Sequence, residues 1–154
     1  MLEKNQTAPA FSTRNQHNEM ISLSDYKGKK NVVLYFYPKD DTPGCTMEAL
    51  DFTDLEPEFE AADTDVLGIS RDTCVSHGAF RDKYGLSVRL LADADGEACE
   101  AFGVWQEKEA RGEKRMGIVR STFIIDKSGV VRHALYDVKP KGHAADVLEL
   151  VKAL

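Results

Sequence analysis

The sequence predicts an α/β fold, with a mixed central β-sheet flanked by helices. Three observations carry that expectation. Asn31-Val-Val-Leu-Tyr-Phe-Tyr37 is β-branched and aromatic with almost no polar interruption, the pattern of a strand buried on both faces. Runs of this kind alternate with segments of helical period, as they do when helices cover both sides of a sheet. Near the end, two apolar runs flank Asp126-Lys-Ser-Gly129, a turn with glycine at its close, and read as a β-hairpin.

After the first strand, the stretch from Cys45 carries Phe52, Leu55 and Phe59 on one helical face. Pro57 interrupts it, and a helix break or restart is expected there because proline lacks the N–H and clashes with the preceding turn. Asp65-Val-Leu-Gly-Ile-Ser70 is a second buried strand. Asp72 is a candidate N-cap for a helix that holds Phe80 and Tyr84 and stops at Gly85. Arg89-Leu-Leu-Ala92 is a shorter strand, and Asp95 to Phe102 a short helix. The charged segment from Gln106 to Gly117 is expected to be an exposed loop. Arg120–Ile125 and Val130–Tyr136 are the hairpin strands. Ala144, Val147, Leu148, Val151 and Leu154 follow a 3.6 period and mark a final helix.

The 154 residues, 42% apolar and 30% charged, suit one domain spanning 1–154 with one hydrophobic core. The formal charge of −6 argues against nucleic acid or an anionic membrane as partner. The longest apolar run, Val32 to Tyr37, is far shorter than the roughly 20 residues of a membrane span. The polar N-terminus lacks a signal-peptide core, so a cytoplasmic location is expected. Three widely spaced cysteines, Cys45, Cys74 and Cys99, do not form a disulfide framework, and there is no Cys-x-x-Cys. The four histidines show no metal-ligand spacing, and neither metal nor cofactor is expected.

Chemistry concentrates in Pro38-Lys-Asp-Asp-Thr-Pro-Gly-Cys45-Thr-Met-Glu48. It follows the central strand and opens a helix, beyond the carboxyl end of a strand where α/β proteins place ligands. Pro43 and Gly44 make a tight turn. Cys45 falls among the first helical residues, where free N–H groups and the helix dipole favour an anion such as a thiolate. On position alone Cys45 also reads as a small buried hydrophobe, Thr42 as a turn residue, Pro38 as a strand terminator and Arg120 as a surface charge. Glu48 reads either as a helix-start residue or as an orienter of Arg120. His77 reads as a helix-surface residue without chemistry.

The pattern Pro38-x-x-x-Thr42-x-x-Cys45 resembles the active-site signature of the peroxiredoxins. The longer Tyr35–Glu48 stretch resembles the bacterioferritin comigratory protein, or PrxQ, subfamily. The likeness continues in Gly68-Ile-Ser-Arg-Asp72, Ser76-His77 with Phe80, Leu91-Ala-Asp-Ala-Asp-Gly96, Phe102-Gly-Val-Trp105, Arg120–Asp126 and Val138-Lys-Pro-Lys-Gly-His143. It implies a thioredoxin-like fold with an N-terminal peroxiredoxin extension and a thiol-dependent reduction of hydrogen peroxide and organic hydroperoxides. It implies that Cys45 attacks the peroxide and becomes a sulfenic acid. Thr42 would hold the peroxide, Arg120 would stabilise thiolate and peroxide oxygens, and Pro38 would wall the pocket.

The resemblance also exposes a gap. Many relatives carry a second cysteine five residues after the first, where this chain has Leu50, and others carry one near the position of Arg81. Three fates of the sulfenic acid therefore stay open. An external thiol such as thioredoxin, glutaredoxin or glutathione resolves it, or Cys74 does as the candidate resolving cysteine, or Cys99 does. The resemblance leans towards a monomer. A redox sensor that does not turn over is the competing reading; a disulfide reductase is disfavoured by the missing Cys-x-x-Cys.

Overall fold

The computed structural model describes residues 1–154. In chain order the strands are β1 (Ser12–Asn15), β2 (Met20–Ser22), β3 (Asn31–Phe36), β4 (Thr64–Ser70), β5 (Arg89–Ala92), β6 (Trp105–Ala110), β7 (Glu113–Ile118), β8 (Ser121–Ile125) and β9 (Val131–Leu135). The helices are α1 (Pro43–Ala61), α2 (Cys74–Tyr84), α3 (Glu97–Ala101) and α4 (His143–Lys152), with a 3₁₀ turn at Leu23–Tyr26.

The strands form one seven-stranded sheet in the order β2-β1-β5-β4-β3-β8-β9 and a separate β6-β7 ribbon. β3, β4 and β5 run parallel, while β8 joins β3 antiparallel and β1 joins β5 antiparallel. The sheet is mixed, as expected. β3 is buried on both faces because its alternate side chains enter different cores. Val33, Tyr35 and Tyr37 pack with α1, α2 and α4; Val32, Leu34 and Phe36 pack with α3, Phe102 and Val104.

Four local expectations change. α1 runs unbroken through Pro57. Pro57 is on the solvent face, where water can meet the carbonyl it leaves free, while Phe52 and Phe59 on either side are fully buried. Two buried aromatic side chains at roughly 2–3 kcal/mol each outweigh the ~3 kcal/mol cost of an interior proline. The N-cap of α2 is Thr73, whose hydroxyl accepts from the Ser76 amide, not Asp72. Asp72 is occupied, accepting from the Ser70 hydroxyl and the Asp40 amide. The short helix spans only Glu97–Ala101, with Asp93 accepting from the Ala98 and Cys99 amides at its start. Gln106–Gly117 is not a loop: it is the β6-β7 hairpin, turning at Arg111-Gly112, both with positive φ as hairpin turns of type I′ require. Apart from its base, where Trp105 and Ile118 pack on the core, it is exposed, as expected, and polar on both faces, so no alternation betrayed it.

Gly68 of β4 lies in register with Tyr35 of β3. A Cβ there would stand 2.6 Å from the Tyr35 ring, which stacks on Phe52 of α1 at 4.6 Å between centroids. A side chain at 68 therefore drives Tyr35 into the helix that carries Cys45. Gly68→Ala is expected to cost roughly 1–3 kcal/mol. Urea titration should show a lower midpoint at unchanged slope, and an unaltered midpoint would count against this packing.

Candidate active site

The β3–α1 connection is short because Pro43 opens the helix at once and Thr42 stands at its N-cap in an extended conformation. Cys45 thus sits in the first turn of α1, 2% exposed, at the end of the core shared with α4. Arg120 comes from the residue before β8. The antiparallel register sets Ser121 opposite Phe36, which carries Arg120 to the end of β3 and so to the start of α1.

The two residues meet directly. Nη2 of Arg120 donates to Sγ of Cys45 at 3.4 Å, and Nη1 donates to Oε1 of Glu48 at 2.6 Å. Cys45 and Glu48, three apart, share one face of α1, so a single guanidinium spans both. Gly44 makes room for it, since a Cβ there would lie 3.1 Å from Nη2 of Arg120 and 3.3 Å from Pro140. Pro38 and Arg120 line one groove with Val119, Val138 and Pro140. Thr42 does not line it; its hydroxyl donates to the Lys39 carbonyl at 2.8 Å, which leaves its oxygen free to accept.

Glu48 is completely buried, and its Oε2 has no partner. Burial pushes its carboxyl up from 4.5 to about 7, although the Arg120 charge and hydrogen bond pull it down. The folded state therefore holds this proton more tightly than the unfolded chain. Glu48 favours folding below about pH 4.5, and that contribution is lost as the pH rises through about 7. The stability of the protein relative to Glu48→Gln is expected to fall by on the order of 2 kcal/mol between pH 5 and pH 8. Urea unfolding of both at each pH reads this directly, and a flat difference would contradict it.

This geometry joins a cysteine at a helix start to a fixed cation. The sequence model of the AhpC/TSA family matches residues 5–134. Peroxiredoxin Bcp of Bacillus subtilis is 46% identical over 151 residues, covering 98% of this chain and 96% of that one. The chain is a peroxiredoxin of the AhpC/TSA family. Peroxiredoxin Bcp of Escherichia coli K12 is 41% identical over 98% of this chain and 96% of its own. Among solved structures, a Xanthomonas campestris bacterioferritin comigratory protein, studied for alkyl peroxide reduction, has a TM-score of 0.88 at 42% identity, covering 93% of this chain and 90% of that one. Xylella fastidiosa PrxQ, solved as a cysteine-to-serine mutant, has a TM-score of 0.94 at 38% identity, covering 99% and 97%. The fold is the thioredoxin-like one that the sequence implied.

The other two cysteines of this peroxiredoxin lie elsewhere, and all three are free thiols. Cys99 is buried on α3, in the core on the opposite face of the sheet from Cys45. Burial and the neighbouring Asp93 carboxylate push its thiol up, so it is a poor nucleophile. Cys74 opens the first turn of α2 and lines a surface depression with Gln16, His17 and Asn18, which shares no residue with the groove at Arg120.

His77 departs most from expectation. It is fully buried rather than on the surface of α2. Its spacing to Phe80 and Tyr84, i+3 and i+7, marks the core-facing stripe and was the available signal. His77, Asp40 and Asp72 bring ligand atoms within 4.8 Å of one another. Both ring nitrogens and both Asp40 oxygens already have protein partners, so the cluster is a hydrogen-bond network rather than an open coordination set. No helix is long and apolar enough to cross a membrane.

Proposed function

We propose that this single-domain chain is a monomeric, cytoplasmic peroxidase that reduces hydrogen peroxide and organic hydroperoxides at Cys45 and is returned to the thiol by an external reductant. The observation that carries this reading is the 3.4 Å contact from Arg120 to Cys45 Sγ. The Cys45 thiolate attacks the terminal peroxide oxygen, the S–O bond forms as the O–O bond breaks, and the alkoxide or hydroxide leaves and takes up a proton. The Cys45 sulfenic acid then condenses with an external thiol, releasing water, and a second thiol frees Cys45 from the mixed disulfide.

Arg120 serves both ends of the first step. Full ionisation of an ordinary thiol at pH 7 gains only about 30-fold. The larger share comes from stabilising charge as it moves to the leaving oxygen, where the guanidinium and the free amides at the start of α1 are preorganised. Thr42, with its proton committed to Lys39, is disposed to accept the peroxide O–H, and Pro38 shields the groove from water.

An external thiol is the favoured resolver. Cys99 stands on the other side of the sheet, and Cys74 faces a separate surface. Steady-state turnover with thioredoxin, glutaredoxin or glutathione as sole reductant tests the reading. Continuous peroxide consumption that survives Cys74→Ser supports it. A stall after about one equivalent of peroxide marks a sensor, and loss of turnover in Cys74→Ser marks an internal resolver.

A further inference from the structure

We propose that His77 carries both ring protons and forms with Asp40 a buried ion pair that latches the turn before Cys45 onto α2, and that release of this latch opens Cys45 to its thiol reductant. The proposal rests on the reading of Cys45 as the reacting thiol.

The hydrogen bonds decide the charge. Nε2 of His77 faces the Leu91 carbonyl at 2.9 Å, which can only accept. Nδ1 faces Oδ2 of Asp40 at 2.8 Å. Asp40 also receives the Tyr37 hydroxyl at 2.6 Å and the Ser76 hydroxyl at 2.7 Å, an environment built for a carboxylate. A neutral imidazole would turn a lone pair towards one of two acceptors. An imidazolium satisfies both. Burial pushes the Asp40 carboxyl up, but the His77 hydrogen bond and charge, with Tyr37 and Ser76, hold it below its ordinary value. The titratable groups around the ring are Asp40 from the turn, Tyr37 from β3 and Asp72 from the loop before α2, and β5 contributes only the Leu91 carbonyl.

Placement makes the pair a latch. Cys45 is 2% exposed, too little for a thiol on a peptide or protein, whose sulfur must close to about 2.05 Å. The turn at 38–44 must therefore move before resolution. Its ties run to α2 and the loop before it. The Asp40 amide is held by Asp72 and the Asp40 side chain by Ser76 and His77. Asp41, at positive φ, is held by Lys83 at 2.7 Å and Tyr84 at 2.5 Å. Of these ties the His77–Asp40 pair is the one that is buried and charged, hence the strongest.

Two measurements test this. In the first, ¹⁵N NMR of the imidazoles at pH 7 should show both His77 nitrogens protonated, and one proton in Asp40→Asn. A singly protonated wild-type ring overturns the proposal, whatever Cys45 does. In the second, Cys45 is alkylated by a bulky maleimide and by iodoacetamide, with peptide mass spectrometry reading that residue alone. The ratio of the two rates cancels Cys45 ionisation. In His77→Gln this bulky-to-small ratio should be about ten- to a hundred-fold higher than in wild type at neutral pH. A ratio that is the same in wild type and His77→Gln overturns the latch, and the NMR result stands independently if the variant folds poorly.

Discussion

Cys45→Ser is expected to lower thiol-dependent peroxide consumption by more than about 10⁴-fold, because a serine hydroxyl is not ionised at neutral pH and has no substitute nucleophile within reach. Cys99 sits across the sheet with its thiol pushed up, and Cys74 opens onto another surface. Cys99→Ser is the matched control. Its site holds the Asp93 carboxylate, which can accept from the new hydroxyl, and the substitution leaves the peroxide step intact. Initial rates against hydrogen peroxide with saturating reductant read both variants. Loss of the rate in Cys99→Ser together with its retention in Cys45→Ser would reassign the nucleophile.

Arg120 carries the second largest effect. Its guanidinium donates at once to Cys45 and Glu48 from two nitrogens set at a fixed angle. Lysine offers one ammonium, a point charge that cannot hold both positions. Arg120→Lys is therefore expected to lower the rate constant for peroxide by about 10²–10³-fold, the range seen when one preorganised donor to a developing charge is removed. Arg120→Met should fall further and should also shift Glu48. Burial already pushes that carboxyl to about 7, and without the guanidinium nothing opposes the push. Competition for limiting peroxide measures the first step apart from resolution. A lysine variant within two-fold of the parent would mean that a positive charge suffices and that the fork geometry does nothing.

The part of this site that lies in one stretch was legible in the sequence. Pro38, Thr42, Cys45 and Glu48 follow a recognisable buried strand, and their order alone pointed to a thiol at a helix start. The meeting of Cys45 with Arg120, 75 positions later, depends on the register of β8 against β3, which no local pattern encodes. There the family resemblance supplied what periodicity could not. Elsewhere, tertiary packing overruled local rules. Pro57 signals a helix end, yet the burial of Phe52 and Phe59 carries α1 through it. The β6-β7 ribbon meets the core only at its base, through Trp105 and Ile118, so the rest of its strands leave no apolar alternation to read. His77 was misplaced because a histidine on a helix is usually solvated, and the partner that justifies its burial, Asp40, lies 37 residues away.

Trapping the oxidised cysteine is the most direct test of the account. The reduced protein receives one equivalent of hydrogen peroxide without reductant, in the presence of dimedone, and is digested for mass spectrometry. The account predicts the sulfenic acid adduct on Cys45, with Cys74 and Cys99 unmodified. An adduct confined to Cys74 or Cys99, with Cys45 still a thiol, would contradict it.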